Sequence, residues 1–246
     1  MQVSNAMARE PIEKTRLIVA LDVDSEKAAR SLVSELAPHV GAFKIGLQLF
    51  TLAGPLFVKD LVSSGTKIFL DLKFHDIPNT VARASIEAAR LGVWMFNVHA
   101  LGGREMLRTS AGEMKKVCER EGLTPPRMIG VTILTSSGQN TLSEVGLTGE
   151  LESQVANLAR LTAECGLDGV VASPLETSTV RAAVDNPGFL IVTPGVRPEF
   201  ATNDDQERVM TPCEAVSAGS DYIVVGRPVL RAANRIEAVQ KILGEI

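Results

Sequence analysis

The sequence has few cysteines, few aromatic residues and no long apolar run. Cys118, Cys165 and Cys213 are widely spaced and have no CxxC neighbour, which argues against a disulfide framework and a zinc site and is typical of thiols in a reducing compartment. No stretch of about 18 apolar residues occurs, and residues 1–16 lack the apolar core of a signal peptide. We therefore expect a cytoplasmic protein.

Basic residues are not in excess either. The 25 lysines and arginines are outnumbered by 29 acidic residues, which gives a formal net charge of -4. Nucleic acids and anionic membranes are bound through concentrated basic surfaces, so we expect neither as a partner and expect any bound phosphate to be small. The 45% hydrophobic composition, with only 4% aromatic residues, predicts a sizeable aliphatic core.

Eight short apolar runs alternate with amphipathic segments along the chain. Such runs are typical of strands buried on both faces of a parallel sheet, and the segments between them repeat apolar residues at the spacing of helices. The predicted strands are 17–21, 43–47, 67–70, 95–98, 128–134, 169–172, 189–192 and 222–225. The predicted helices include 25–37, 81–91, 151–165 and 228–243.

This strict alternation predicts an α/β fold, a single-domain (β/α)8 TIM barrel spanning 17–246. A doubly wound open sheet is the alternative, but no Gly-x-Gly-x-x-Gly motif follows an early strand, which disfavours its dinucleotide-binding version. Residues 1–16 form an N-terminal lead. Within it, Ser4-Asn5-Ala6 before Met7 is compatible with a cloning remnant and equally with a natural disordered lead.

Charged residues follow the first three predicted strands, at the end of the barrel where active sites lie. Asp22 ends strand one, Lys44 lies on strand two, and Asp71-x-Lys73-x-x-Asp76 ends strand three. Residues two apart on a strand share a face, so Asp71 and Lys73 should point inward, with Asp76 folding back from the loop. Burying unpaired ions costs several kcal/mol each, so the array is either catalytic or a self-neutralising ion-pair network.

Gly226-Arg227-Pro228 follows strand eight. The glycine lets the backbone approach an anion, Pro228 suits the first turn of a helix, and Arg227 offers a fork of donors to phosphate oxygens. Barrels often bind phosphate after strands seven and eight. A surface ion pair of Arg227 is the alternative interpretation.

The segment 197–211 is a long polar loop after strand seven, which is typical of an active-site lid. Arg197 and Gln206 would then reach a bound phosphate, although both also fit an ordinary solvated loop. We expect His75 to pack or hydrogen-bond away from the interior and His99 to be a satisfied structural histidine. Lysine ammonium groups already occupy the space among the carboxylates, which disfavours a Mg²⁺ site, so we expect neither a metal nor another cofactor.

The run Asp71-Leu72-Lys73-Phe74-His75-Asp76-Ile77-Pro78-Asn79-Thr80 resembles the signature of the orotidine 5'-phosphate decarboxylases. The supporting matches follow in the family's order: Leu21-Asp22, Lys44, Val192-Thr193-Pro194-Gly195-Val196-Arg197-Pro198 and Val225-Gly226-Arg227-Pro228. The resemblance extends over the chain from about residue 17 onward.

This resemblance implies an enzyme that converts orotidine 5'-phosphate to UMP and CO₂ in pyrimidine synthesis. Lys73 would be the proton donor within an array completed by Asp71, Lys44 and Asp76. The implied substrate contacts are Asp22 and Lys44 to the ribose, Thr135 (with Thr132 as the alternative) to the base, Pro194 at the strand-seven motif, and Arg197, Gln206, Gly226 and Arg227 to the 5'-phosphate. The enzyme would be a homodimer with shared sites, to which Asp76 and Thr80 come from the partner subunit.

The chemistry matches the residues. Loss of CO₂ leaves a ring carbanion, and an ammonium about 4 Å away stabilises it by on the order of 4 kcal/mol at an effective dielectric of about 20. Carboxylates beside Lys73 favour its charged form. Two rivals remain: a Mg²⁺-dependent sister enzyme that acts on a sugar phosphate, such as 3-keto-L-gulonate 6-phosphate decarboxylase or hexulose-phosphate synthase, and a non-catalytic sensor of a phosphorylated ligand.

Overall fold

The computed structural model describes residues 16–200 and 210–246. Eight parallel strands form a closed barrel in sequence order, with the last strand pairing with the first. The strands are β1 (Leu17–Ala20), β2 (Ala42–Gly46), β3 (Ile68–Phe74), β4 (Met95–His99), β5 (Arg127–Val131), β6 (Gly169–Val171), β7 (Leu190–Pro194) and β8 (Tyr222–Val225). The predicted barrel fold and all eight strands are confirmed.

Helices follow the strands and form the outer layer. They are α1 (Glu26–Leu36), α2 (Leu47–Ser63), α3 (Pro78–Arg90), α4 (Gly103–Glu121), α5 (Gln139–Glu144), α6 (Leu151–Glu164), α7 (Thr177–Ala183), α8 (Pro212–Ser217), α9 (Arg227–Leu230) and α10 (Arg235–Gly244). Two 3₁₀ turns, Ala100–Gly102 and Pro174–Glu176, precede α4 and α7. None of the helices in the described ranges is long and apolar enough to cross a membrane.

Alternate residues of each strand point to opposite sides of the barrel wall. The inward side chains form an apolar cluster inside the barrel that includes Ile18, Ala20, Ala42, Phe69, Met95, Ile129, Val131, Val171, Val192 and Val224. The outward side chains, such as Val19, Phe43 and Leu70, pack with the helices in a second cluster. This period of two explains the near-continuous apolar runs, because both faces of each strand are buried.

Two predicted elements differ from the structure. The single helix expected over 228–243 is wrong, because α9 ends at Leu230 and α10 begins at Arg235. Asn234 causes the new start, since its side-chain oxygen accepts a hydrogen bond from the backbone N–H of Glu237 (3.1 Å), an N-cap that satisfies a free donor of α10. The second difference is the strand predicted over 128–134, which ends at Val131.

The N-terminal end of the barrel is closed by aromatic and cationic side chains. The indole of Trp94 meets the ring of Tyr222 edge to face, with centroids 5.2 Å apart. The Arg127 guanidinium lies 5.3 Å from the Trp94 ring centroid and donates a 2.6 Å hydrogen bond to the Tyr222 hydroxyl. Because these residues begin or precede β4, β5 and β8, they fill the pole opposite the mouth.

Gly169 on β6 provides a test of the strand packing. A Cβ added there would meet the backbone carbonyl oxygen of Leu190 on β7 well inside van der Waals contact. We expect Gly169→Ala to lower the free energy of unfolding by about 1–3 kcal/mol, because the neighbouring backbone must shift. Denaturant unfolding monitored by circular dichroism would measure this change.

Gly112 is the matched control. It lies within α4, and a Cβ added there meets no atom within 4 Å beyond the backbone of its own helix. Gly112→Ala should raise the free energy of unfolding by roughly 0.5–1 kcal/mol, because alanine loses less backbone entropy in a helix. Equal effects of the two substitutions would contradict the proposed contact at Gly169.

Candidate active site

The C-terminal mouth of the barrel contains a cavity with one charged side and one apolar side. Lys44, Asp71 and Lys73 form the charged side. The remaining lining residues are Phe69, Val131, Ile133, Leu134, Thr135, Val171, Val192, Pro194 and Val224. Such a cavity can hold a mostly flat, partly polar molecule next to a fixed set of charges.

Four charged side chains form an alternating chain along this wall. Asp22 Oδ1 is 3.4 Å from Lys44 Nζ, which is 3.3 Å from Asp71 Oδ2. Asp71 Oδ1 is in turn 2.7 Å from Lys73 Nζ. Asp71 and Lys44 are 14% and 13% exposed, whereas Asp22 is 56% exposed. Each buried charge therefore has an opposite charge beside it, as the desolvation cost requires.

The Asp71 carboxylate is the centre of this chain. Burial alone would raise its pKa, but the positive charges of Lys44 and Lys73 and hydrogen bonds from Lys73 and Asn97 outweigh burial and hold the pKa below its ordinary value. Asp71 is therefore ionised at neutral pH. It accepts hydrogen bonds on Oδ1 from both Lys73 Nζ and Asn97 Nδ2, each at 2.7 Å.

Strand β3 is irregular where it carries these groups. Leu70 pairs with Phe96 and Phe74 pairs with Val98, so the register shifts between Leu70 and Phe74. Lys73 has a φ of 53°, and it is the one non-glycine residue with positive φ in the described ranges. Asp71 and Lys73 do both face the cavity as predicted, but a bulge rather than a regular strand places them there.

Thr135 and Thr132 occupy different environments. Thr135 lines the cavity, whereas Thr132 is fully buried and its hydroxyl donates a 3.0 Å hydrogen bond to the carbonyl oxygen of Val171. Of the two threonines considered from the sequence, Thr135 is therefore the one placed to meet a ligand. Pro194, at the end of β7, also lines the cavity.

Asp76 and Thr80 are not part of this cavity within one chain. Both are exposed, and the Asp76 carboxylate accepts a hydrogen bond from the backbone N–H of Ile77 at 2.6 Å. Neither lines the cavity that Lys44, Asp71 and Lys73 of the same chain line. The spacing of the motif predicts that Asp76 folds back toward Asp71 and Lys73, but in the single chain Asp76 is exposed and does not line their cavity.

Three of the four predicted phosphate residues, Arg197, Gly226 and Arg227, follow β7 and β8. Gly226 precedes the short helix α9, and a Cβ there would lie 3.4 Å from Asp22 Oδ2. Arg227, half-buried, is the first residue of α9. Arg197 is half-buried, and its backbone N–H donates to the carbonyl of Met210 at 2.9 Å.

The predicted lid lies largely outside the described residues. Its ends are held together by a parallel bridge between Val196 and Met210. Gln206 falls in the range 201–209, outside the described residues, as does the N-terminal lead up to residue 15. The described ends of the loop therefore lie side by side after β7.

His75 and His99 form a pair beside the charged chain. Their ring centroids are 5.4 Å apart. His75 is exposed, as expected of a side chain that points away from the interior. The expectation that His99 is satisfied is wrong within the described residues, because its buried Nδ1 has no hydrogen-bond partner there. Burial, together with the charges of His75 and Lys73, lowers the pKa of His99, while Asp71 opposes this effect.

Asn97 is a functional candidate that the sequence reasoning passed over. It was visible only as a polar residue at the end of a buried strand. Counting alternate residues from Met95, which points inward, also places Asn97 on the inner face of β4. The alternation of side chains along β4 therefore predicts an inward-facing Asn97 next to the charged residues of β3.

A closed parallel barrel with a paired Lys–Asp array and a cavity at its C-terminal mouth is the arrangement of a (β/α)8-barrel enzyme. The family model described as "Orotidine 5'-phosphate decarboxylase / HUMPS family" matches residues 15–242. The chain belongs to this family.

Individual relatives agree. The orotidine 5'-phosphate decarboxylase of Trichlorobacter lovleyi is 53% identical over 234 residues, covering 95% of each chain. That of Syntrophotalea carbinolica is 52% identical over 233 residues, again covering 95% of each chain. The crystal structure of orotidine 5'-phosphate decarboxylase from Lactobacillus acidophilus matches with a TM-score of 0.82 at 38% identity, covering 93% of this chain and 97% of that chain.

The electrostatics of the site can be tested through His99. In an NMR titration of the imidazole C2 protons, His99 should titrate below the ordinary value of about 6.5. His75→Gln should raise the pKa of His99, because it removes a neighbouring positive charge, and Asp71→Asn should lower it further by removing a negative one. His39→Gln is the control and should leave it unchanged. If the pKa of His99 were the same in His75→Gln, Asp71→Asn and the wild type, His99 would not be electrostatically coupled to His75 and Asp71.

Proposed function

We propose that this protein decarboxylates orotidine 5'-phosphate to UMP and CO₂, with Lys73 as the proton donor. The observation that carries the proposal is the Lys73 ammonium held 2.7 Å from the ionised Asp71 at the edge of a cavity whose opposite wall is apolar. Family membership and the relatives at about 50% identity support the activity. The roles of individual side chains are our assignment.

The reaction requires stabilisation of negative charge on a ring carbon. When the bond between the pyrimidine ring and the carboxylate breaks, the electron pair of that bond stays on the ring carbon C6. Lys73 Nζ then donates the proton that neutralises this carbanion. An ammonium close to that carbon interacts more strongly with the carbanion than with the neutral ring, which is the condition for lowering the barrier. The Asp71 carboxylate, 2.7 Å from Lys73 Nζ, pairs with the ammonium that gives up this proton.

The other predicted contacts divide between the two ends of the nucleotide. Asp22 and Lys44, at the exposed end of the charged chain, are assigned to the ribose hydroxyls. Thr135 and Pro194 are assigned to the pyrimidine side of the cavity. The assignment of the 5'-phosphate to Gly226 and Arg227 is supported by their place before a short helix at the end of β8, where barrels commonly bind phosphate. Arg197 and Gln206 would cover it from the lid.

We assign the active form to a homodimer. Leu47, Ile77 and Leu101 are 58%, 67% and 42% exposed and follow the neighbouring strands β2, β3 and β4 at one side of the mouth. Exposed apolar residues grouped in this way are typical of a protein interface. In such a dimer, each chain would place its Asp76 and Thr80, which are exposed in the single chain, in the site of the other.

The free thiols of Cys118, Cys165 and Cys213 support a location in the cytoplasm.

The Mg²⁺-dependent sugar-phosphate enzyme is the closest competing function. In the described ranges no group of three or more His, Cys, Asp or Glu side chains is arranged to hold a metal. The curated relatives compared above are orotidine 5'-phosphate decarboxylases, which favours the nucleotide. Turnover that persists in EDTA separates the two functions.

The activity and the role of Lys73 are tested together. We expect the wild-type protein to consume orotidine 5'-phosphate, followed by ultraviolet absorbance, in buffer containing EDTA. Lys73→Ala should lower kcat by more than about 10³-fold, because both the charge and the proton donor are lost. UMP binding, measured by calorimetry, should remain detectable. Binding of UMP by the wild type without turnover would instead favour a sensor.

The shared site is tested by mixing two inactive variants. In a dimer whose sites combine Lys73 of one chain with Asp76 of the other, a heterodimer of Lys73→Ala and Asp76→Ala contains one intact site. After subunit exchange, an equal mixture should recover about a quarter of wild-type activity, since half of the dimers are mixed and each has one working site. A mixture of Lys73→Ala and Asp71→Ala is the control. It should recover no activity, because each site takes both Lys73 and Asp71 from the same chain, so every site in the mixture lacks one of them. Failure of the first mixture to recover, with exchange verified, would contradict the shared site.

A further inference from the structure

Asn97 lies behind the charged chain and contacts two of its members. Its side chain is fully buried at the C-terminal end of β4. Its amide oxygen accepts a 2.8 Å hydrogen bond from the backbone N–H of Lys73, and its amide nitrogen donates at 2.7 Å to Asp71 Oδ1. One side chain therefore holds both the backbone of Lys73 and the carboxylate that neutralises its ammonium.

The position of these contacts coincides with the bulge of β3. Between the pairs Leu70 with Phe96 and Phe74 with Val98, three residues of β3 face the single residue Asn97 of β4. Because β3 has more residues here than β4, the backbone hydrogen bonds between the two strands cannot pair every backbone N–H of β3. The Asn97 amide replaces a ladder partner by accepting from the Lys73 N–H.

We propose that Asn97 is a positioning residue for the reaction, which holds Lys73 in its left-handed backbone conformation and Asp71 in the orientation that meets the Lys73 ammonium. The inference rests on the proposed decarboxylase function, in which Lys73 and Asp71 act on the substrate. Asn97 itself does not line the cavity and acts through them.

The left-handed backbone of Lys73 makes this support necessary. A φ of 53° is unfavourable for a residue with a long side chain and persists where surrounding contacts enforce it. Without the bond to Asn97, the Lys73 backbone is free to return to the extended region, which would move its ammonium relative to the substrate. A displacement of about 1 Å of a reacting group can cost about 10²-fold in rate.

An amide is the group that matches both partners. The Lys73 N–H requires an acceptor, and the ionised Asp71 requires a donor, so a side chain with one of each on a single planar group satisfies both. A carboxylate in the same place would still accept from Lys73 but would repel Asp71. Once protonated, the carboxyl again has one acceptor and one donor and reproduces the pattern of the amide.

Asn97→Asp therefore provides a test that a general structural role would not reproduce. We expect kcat to fall about 10²-fold at about pH 8, while KM and the Kd of UMP stay close to wild type. Relative to wild type, kcat should recover as the pH falls toward about 5.5, because one of two adjacent carboxyls takes up a proton at raised pH. The titratable groups around residue 97, which are Asp71, Lys73, Lys44, His75 and His99, are also present in Asn97→Ala. Comparison with that variant therefore shows which part of the pH dependence comes from the new carboxyl.

Two further variants complete the experiment. Asn97→Ala lacks the donor and acceptor, so its kcat should fall without recovering at low pH. Thr162→Val removes a buried hydroxyl that bonds the Leu158 carbonyl within its own helix, away from the site, and should retain wild-type kcat. Thermal unfolding of all variants verifies that they are folded.

The outcomes separate this inference from the proposed function. No turnover by the wild type would overturn the proposed function. Wild-type turnover with unchanged kcat in folded Asn97→Asp, or an equally reduced kcat at every pH, would overturn the role of Asn97 alone. Reduced kcat with recovery at low pH, absent in Asn97→Ala, supports it.

Discussion

The site depends on the pairing of Asp71 with two lysines. Burying a carboxylate is costly, and this one remains ionised because Lys44 and Lys73 approach its two oxygens within 3.3 and 2.7 Å. The same pairing neutralises the Lys73 ammonium at the edge of a cavity whose opposite wall is apolar. Removing Asp71 would leave the Lys73 ammonium without the carboxylate that neutralises it, and removing Lys44 would do the same to Asp22, so the array acts as one unit rather than as separate residues.

The barrel provides this unit from three neighbouring strands. Lys44 comes from β2, Asp71 and Lys73 from β3, and Asn97 from β4. Each continues the inward face of its strand above the apolar interior cluster. The cluster supports the array from below, while the two 3₁₀ turns and the helices enclose the strands from outside. Precision at the mouth therefore derives from rigid strands, and the loops add the residues assigned to the phosphate.

Much of this arrangement could be predicted from the sequence, because apolar runs and inward parity follow from the period of a strand. Parity also separates Thr132 from Thr135, since Val131 points inward and Thr132 outward. The bulge at Lys73 could not be predicted, because positive φ is normally signalled by glycine or asparagine and this segment has neither. The break before α10 was missed because alanines at 232 and 233 continue a helical pattern, while the capping effect of Asn234 was overlooked.

The plug at the far pole of the barrel has a practical consequence. Trp94 is the single tryptophan of the chain, and it contacts Tyr222 edge to face and lies beside Arg127 at the end of the barrel opposite the mouth. Its emission therefore reports on the integrity of strand closure and is remote from any nucleotide at the mouth. Because a ligand at the mouth does not contact Trp94, its intrinsic fluorescence can follow the global unfolding of the ligand-free and the ligand-bound protein with the same folded-state signal.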